Sequence, residues 1–269
     1  MLRPVLLVVL TAILPALTPF HAQAEPVCTV IADVSSAQIL LRQGDCERRV
    51  TPASTFKIPL AVMGFESGVL QSGILPELSW RKGEPDWGGK AWKQPTTPRS
   101  WMKHSVVWYS QRIAASLGPQ RLTDYGQRFH YGNADFAGDP GKGNGLERAW
   151  IASSLKVSPD EQVAFLSALQ RGTLPVKPEA MAAAIDLLER FKADGWTISG
   201  KTGSAFPRKA DGSFDRNRGW GWFVGLAEKD GRKLAFAHLT QDEGPVTGSA
   251  GLRTRDALLA DWPALVTGR

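Results

Sequence analysis

The segment VTPASTFKIPLAVMGF, residues 50–65, contains one ionisable side chain, Lys57. Around it Phe56, Ile58, Leu60, Ala61, Val62, Met63 and Phe65 are apolar on every side of a helix read over Thr55 to Leu70. A helix that is apolar all round lies inside a core. An ammonium there is costly to desolvate, so the Lys57 amine should titrate far below its usual value of about 10.4. Ser54 and Lys57 stand at i and i+3, on one face of the first turn. A neutral amine beside a hydroxyl makes an activated nucleophile. The leading N–H groups of a helix have no internal acceptor, so the Ser54 N–H can meet a developing oxyanion. Pro59 deletes one early hydrogen bond, which a first turn tolerates. The plainer reading is that Ser54 only caps the helix and Lys57 reaches solvent along its methylenes. The pattern Ser-x-x-Lys recurs at Ser79/Lys82, Ser100/Lys103 and Ser153/Lys156, but those lysines have polar or charged neighbours.

The rest of the chain limits what this pair serves. The 269 residues are 43% hydrophobic and 22% charged, which excludes disorder and low complexity. Residues 1–24 read as a signal peptide: Arg3, an apolar run from Val5 to Leu17, and Ala22-Gln23-Ala24 before the expected cleavage. That run is too short to span a membrane, and nothing around Cys28 suggests a lipid anchor. The expectation is an exported, periplasmic protein comprising residues 25–269. The net charge of +6 is dispersed, with no basic stripe or nucleic-acid motif, so no nucleic-acid partner is expected. A mildly basic field attracts small anionic substrates. Four His with no His-x-His pair, and two Cys with no Cys-x-x-Cys, argue against a metal site.

Val27–Asp33 and Gln38–Leu41 read as a hairpin turning near Ser35-Ser36. That hairpin would set Cys28 opposite Cys46, and export permits a disulfide worth about 3 kcal/mol. The alternative is two buried thiols. Residues 74–150 are rich in Gly, Pro and Trp, with a helical piece near Ser105–Leu117 and a loop over Asp139–Gly145. Ser158-Pro159-Asp160-Glu161 opens a packing helix that runs to Arg171. Pro178–Ala193 reads as another helix. Trp196–Lys201, Trp220–Ala227 and Lys233–Thr240 read as strands, and Arg255–Val266 as a helix. The expected class is α+β. An antiparallel sheet of about five strands, the hairpin plus three C-terminal strands, would be flanked by terminal helices. Residues 25–60 and 195–269 would form an α/β lobe, and 61–194 a mainly helical lobe inserted in it. A cleft between two such lobes is a natural ligand site.

Ser54-Thr55-Phe56-Lys57, Ser105-x-Val107, Tyr131-Gly132-Asn133 and Lys201-Thr202-Gly203 follow one another in that order. Taken singly, each reads equally as a cap, a turn or a strand end. Together, with Trp150 and Trp222-Phe223-Val224-Gly225, they resemble the class D β-lactamases among the penicillin-recognising serine enzymes. The resemblance runs over about residues 27 to 267 and implies the β-lactamase/transpeptidase-like fold. It implies that Ser54 attacks the β-lactam carbonyl and that Lys57, carboxylated by carbon dioxide, is the general base. It further implies that Trp150 shields the carbamate, Ser105 relays a proton to the lactam nitrogen, and Lys201 holds the site electrostatically. The N–H groups of Ser54 and Ser204 would form the oxyanion hole. Thr202 and Arg253 would bind the substrate carboxylate, with Arg255 the rival for Arg253. Gly203, Val107, Tyr131 and Asn133 would complete the substrate-binding set. No cofactor is implied beyond carbon dioxide or bicarbonate. The partners are small β-lactams, and a homodimer is compatible with the sequence but not implied by it. A β-lactam sensor and a cell-wall D-Ala-D-Ala peptidase are the rivals within the superfamily. A sensor would be tethered behind membrane spans. His104, His130 and His238 read as structural or surface residues.

Overall fold

The structure, a computed structural model, describes residues 24–268. The signal segment expected over 1–24 therefore lies outside the described residues, save Ala24. The hairpin forms from β1 (Glu25–Asp33) and β2 (Ile39–Gly44). Asp33 Oδ1 closes the turn by accepting from the N–H groups of Ser35 and Ser36, at 3.0 and 2.9 Å. Cys28 pairs with Gly44 in register. Two residues on, Cys46 is bonded to Cys28.

The sheet has six strands, one more than the sequence suggested. Its order is β2-β1-β6-β5-β4-β3, antiparallel throughout. The extra strand is β3 (Glu189–Ala193), which pairs with the start of β4 (Trp196–Ala205). The helix expected to run to Ala193 stops instead at Asp186. This brings 189–193, assigned above to the helical lobe, into the sheet. Strands β5 (Trp220–Lys229) and β6 (Arg232–Gln241) fill the centre.

Alternate residues of a strand face opposite sides, and both sides are buried here. On one side Ile31, Ile198, Phe223 and Phe236 pack with Leu258 and Trp262 of α7 (Ala250–Val266). On the other, Val30, Trp222, Val224 and Ala237 join one large core with Val163 and Leu166 of α5 (Pro159–Arg171) and with the buried helix α1 (Lys57–Glu66). Ser158 and Glu161 cap α5 reciprocally, as their spacing predicts.

Three local departures shape the site. The nucleophile segment is a 3-10 turn, Ala53–Phe56, leading into α1, rather than the start of one long helix. A short helix α2 (Pro98–His104) precedes Ser105, which adopts the left-handed conformation (φ 55°) that links α2 to α3 (Val107–Arg128). Helix α3 outruns the predicted Ser105–Leu117 because it continues past a kink at Gly118, before Pro119. Helices α4 (Gly145–Arg148) and α6 (Pro178–Asp186) complete the set.

Candidate active site

The nucleophile turn brings Lys57 Nζ to 3.4 Å from Ser54 Oγ. Lys57 is 1% exposed, and Ser54 is half-buried. Burial, and secondarily the charge of Lys201, hold the Lys57 amine well below the usual lysine range. The lowered amine expected from the apolar helix therefore stands next to a half-buried hydroxyl.

Strand β4 supplies the facing wall. Lys201 Nζ donates to Ser105 Oγ at 2.6 Å and to the Thr202 carbonyl at 3.1 Å. Burial lowers Lys201 to about 8, with Glu189 acting in the opposite direction. Gly203 is what lets β4 close on the nucleophile turn: a Cβ there would lie 2.9 Å from the Pro52 carbonyl oxygen and 3.1 Å from Thr55 Cγ2. The pairing of β3 to β4 stops at Gly200. Lys201–Ala205 thus has no strand partner on its outer edge among the described residues. At the end of this edge Ser204 Oγ accepts from the Gly251 N–H at 2.8 Å and lies 2.8 Å from Ser249 Oγ. Ser249 caps α7, so this helix begins beside the strand that carries Lys201. Sequence reading missed Ser249 because the helix was begun at Arg255; a serine directly before Ala250-Gly251 was the available signal.

Trp150 is buried and stacks on Phe56, the residue before Lys57, with centroids 5.2 Å apart. Thr51 holds this tryptophan's backbone: its hydroxyl donates to the Trp150 carbonyl (2.8 Å) and accepts from the Ala152 N–H (2.9 Å). Ser54 and Lys57 thus face Ser105 and Lys201, while Trp150 stacks on the residue before Lys57.

The remaining residues lie differently. Val107 is the buried first residue of α3. Tyr131 is fully buried, and its hydroxyl donates to Gln162 Oε1, so it does not reach a substrate. Asn133 is exposed, but its side chain is committed to the backbone of Ser154 and Lys156. Both were expected in the substrate-binding set, and both make these bonds within the protein. Arg253 donates to both carboxylate oxygens of Asp242 (2.7 and 2.8 Å) and to the carbonyls of Thr247 and Gly248. Arg255 donates to Asp256 and lies over the Phe191 ring. Neither guanidinium bonds Thr202 or Ser204. A cavity of about 1060 Å³ is bordered by Arg48, Asn133, Lys142, Arg208 and Trp220. None of Ser54, Lys57, Ser105 or Lys201 lines it, so the site is located by its chemistry. No helix among the described residues is long and apolar enough to cross a membrane.

The chain is similar to known proteins over most of its length. Residues 27–262 match the penicillin-binding protein transpeptidase domain. The chain is 39% identical over 264 residues to beta-lactamase OXA-9 of Klebsiella pneumoniae, covering 97% of this chain and 96% of that protein. It is 34% identical over 242 residues to beta-lactamase OXA-1 of Escherichia coli, covering 88% and 82%. The crystal structure of the class D β-lactamase OXA-427 superposes with a TM-score of 0.82 at 46% identity, over 88% of this chain and 97% of that one. The chain therefore belongs to the penicillin-binding protein transpeptidase family and, within it, to the class D β-lactamases.

Proposed function

We propose that this protein hydrolyses the amide bond of β-lactam antibiotics through an acyl-enzyme on Ser54, and that, exported to the periplasm, it confers resistance to them. The observation that carries this reading is the Lys57 amine: buried, 3.4 Å from Ser54 Oγ, and held far below its ordinary pKa. Only an unprotonated amine adds carbon dioxide, so the same burial that neutralises Lys57 permits its carboxylation. A carbamate there would supply a base first for the Ser54 hydroxyl and then for the hydrolytic water.

Ser54 Oγ adds to the lactam carbonyl while the N–H groups of Ser54 and Ser204 take up the negative charge. The C–N bond then breaks. Ser105, hydrogen-bonded to Lys201, passes a proton to the departing nitrogen. The lactam nitrogen remains tethered, so deacylation has to bring in water before the ring can reclose. The Lys201–Ala205 edge seats the substrate by strand-like pairing, and Thr202 together with the positive Lys201 faces its carboxylate. Trp150, stacked at Phe56, keeps bulk water from the Lys57 nitrogen. Arg253 would contribute by fixing the start of α7 beside Ser204.

The test is turnover of a chromogenic cephalosporin by the wild type and by Ser54→Ala. Sustained turnover that Ser54→Ala abolishes supports hydrolysis. A single stoichiometric burst with persistent acyl-protein by mass spectrometry would replace this reading with that of a sensor.

A further inference from the structure

Three polar side chains inside the core form a chain that ends on the residue after the nucleophile. Tyr131 Oη donates to Gln162 Oε1 at 3.3 Å, Gln162 Nε2 donates to Thr55 Oγ1 at 2.8 Å, and Thr55 Oγ1 donates to the Pro52 carbonyl at 2.8 Å. All three residues are at most 1% exposed. Gln162 lies on the inner face of α5, among Val163, Phe165, Leu166 and Leu169. Stability alone does not call for an amide there, since replacing a buried polar network by apolar groups of similar shape is close to neutral. A fully bonded buried network specifies one geometry.

The geometry specified here is a strained one. Ala53, between Pro52 and Ser54, has φ 50°, a left-handed conformation that costs a residue with a Cβ about 1 kcal/mol. Such a conformation persists only where its surroundings hold it. Thr55 bonds across it to Pro52. A second clamp lies five residues before Thr55 and five before Gln162: Val50 and Val157 exchange both backbone hydrogen bonds, at 3.0 and 2.9 Å. The Tyr-Gly-Asn segment braces the far side. Gly132 has φ 59° and would carry a Cβ only 2.0 Å from the Lys156 carbonyl oxygen, while Asn133 accepts from the Lys156 N–H.

We infer that Gln162, backed by Tyr131, is a positioning residue that locks Thr55 and the strained Ala53, and so sets Ser54 Oγ against Lys57 Nζ. Neither Gln162 nor Tyr131 touches substrate. The inference rests on the catalytic reading of Ser54 and Lys57 given above.

The experiment compares Gln162→Met, Tyr131→Phe, Thr55→Val and Thr55→Ser with the wild type. It measures melting temperature, kcat, KM, and the bicarbonate concentration that gives half-maximal activity. Gln162→Met and Thr55→Val are each expected to lower kcat and raise the bicarbonate requirement about ten-fold with KM little changed, because misplacement of reacting groups is felt in the chemical step. Thr55→Ser keeps the hydroxyl and is expected to stay close to wild type. The double variant Gln162→Met/Thr55→Val is expected to lose no more than either single variant, since one linkage is cut twice. Tyr131→Phe removes one bond from an intact amide and is expected to have the smallest effect. A folded Gln162→Met with wild-type kcat and bicarbonate response would overturn the inference, as would a loss of kcat that merely tracks the melting temperature across all four variants. If the wild type gives only a burst, the hydrolytic reading fails by itself. The positioning role is then read from the acylation rate, which should still fall in Gln162→Met and Thr55→Val.

Discussion

Two lysines are buried at this site, and they are buried differently. Lys57 sits in an apolar helix; it donates to a serine hydroxyl at 3.4 Å, and the charge that acts on it is another cation. Lys201 is almost as buried, at 3% exposed, but it donates to Ser105 and to a backbone carbonyl and feels the Glu189 carboxylate. The first is therefore pushed well below the usual lysine range, whereas the second is lowered to about 8. Desolvation pushes both amines down; hydrogen bonds and nearby charge decide how far. In the proposed mechanism one fold thus provides a base and a cation from the same residue type.

Arginine is the sharpest way to break this comparison, because it stays charged wherever it is placed. Lys57→Arg forces an unpaired cation into the core, and should both unfold the protein at a lower temperature and abolish turnover. Lys57→Met fits the apolar surroundings, so its melting temperature should not fall, yet kcat should drop by about 10³-fold or more with the base gone. A Lys57→Met enzyme that still turned over within ten-fold of wild type would remove Lys57 from the mechanism. At the other lysine the ranking should change. Lys201→Met is expected to cost about 100-fold in kcat/KM, and Lys201→Arg less, because a cation and donor remain near Ser105. Equal losses from Lys201→Arg and Lys201→Met would mean that shape, not charge, matters there.

Much of this was legible in the residues. A lysine alone among apolar neighbours announces its own desolvation, and that distinguished Ser54/Lys57 from three other copies of the same spacing. The hairpin and its disulfide followed from two β-prone runs about one turn. Local patterns failed where distant pairing decided the outcome. Glu189–Ala193 continues a helical periodicity, but β4 offers it a free edge, and five residues at the end of a helix gain more from that ladder. Gln162 sits within a well-capped amphipathic helix, where a polar residue reads as a solvent-facing one; only the fold turns its amide onto Thr55. Arg253 was read toward substrate from its place after Gly251-Leu252. In the structure it pairs with Asp242, just past the end of β6, a partner that its place in the sequence does not indicate.

Trp150→Ala tests whether the dryness of Lys57 is maintained from outside its helix. Losing the stack on Phe56 should destabilise the protein by about 3 kcal/mol. It should also admit water to the amine, slowing deacylation about ten-fold or more while acylation changes less. The reverse order of effects in single-turnover kinetics would remove the shielding role.

The pH profile separates the two amines more finely. Without bicarbonate, kcat/KM should decline above about pH 8 as Lys201 loses its proton. Added bicarbonate would place an anion beside Lys201, favour its charged form, and move the alkaline limb upward. Unfolding does not explain such a limb. Lys201 has a lowered pKa in the fold, so between about 8 and 10.4 the unfolded chain binds the extra proton, and this group adds to stability as pH rises. An alkaline limb that bicarbonate leaves in place would mean that Lys201 and Lys57 are not electrostatically coupled.

His238 provides the internal control, with no expected effect on turnover. It too is a buried neutral base beside a hydroxyl: Nδ1 lies 2.8 Å from Thr29 Oγ1, and burial lowers its pKa to about 4. The pair is enclosed between β1 and β6, away from the cleft, so the arrangement that makes Ser54 reactive has nothing to react with here. Its cost appears in stability instead. As pH falls from about 6.5 to 4 the unfolded chain takes up a proton that the folded one refuses, so stability drops by up to about 3 kcal/mol through this one group. His238→Asn should leave kcat unchanged and flatten the melting temperature over that range. If it lowered turnover as much as Trp150→Ala does, a buried base beside a hydroxyl would matter wherever it sat, and access to substrate would not be what separates Lys57 from His238.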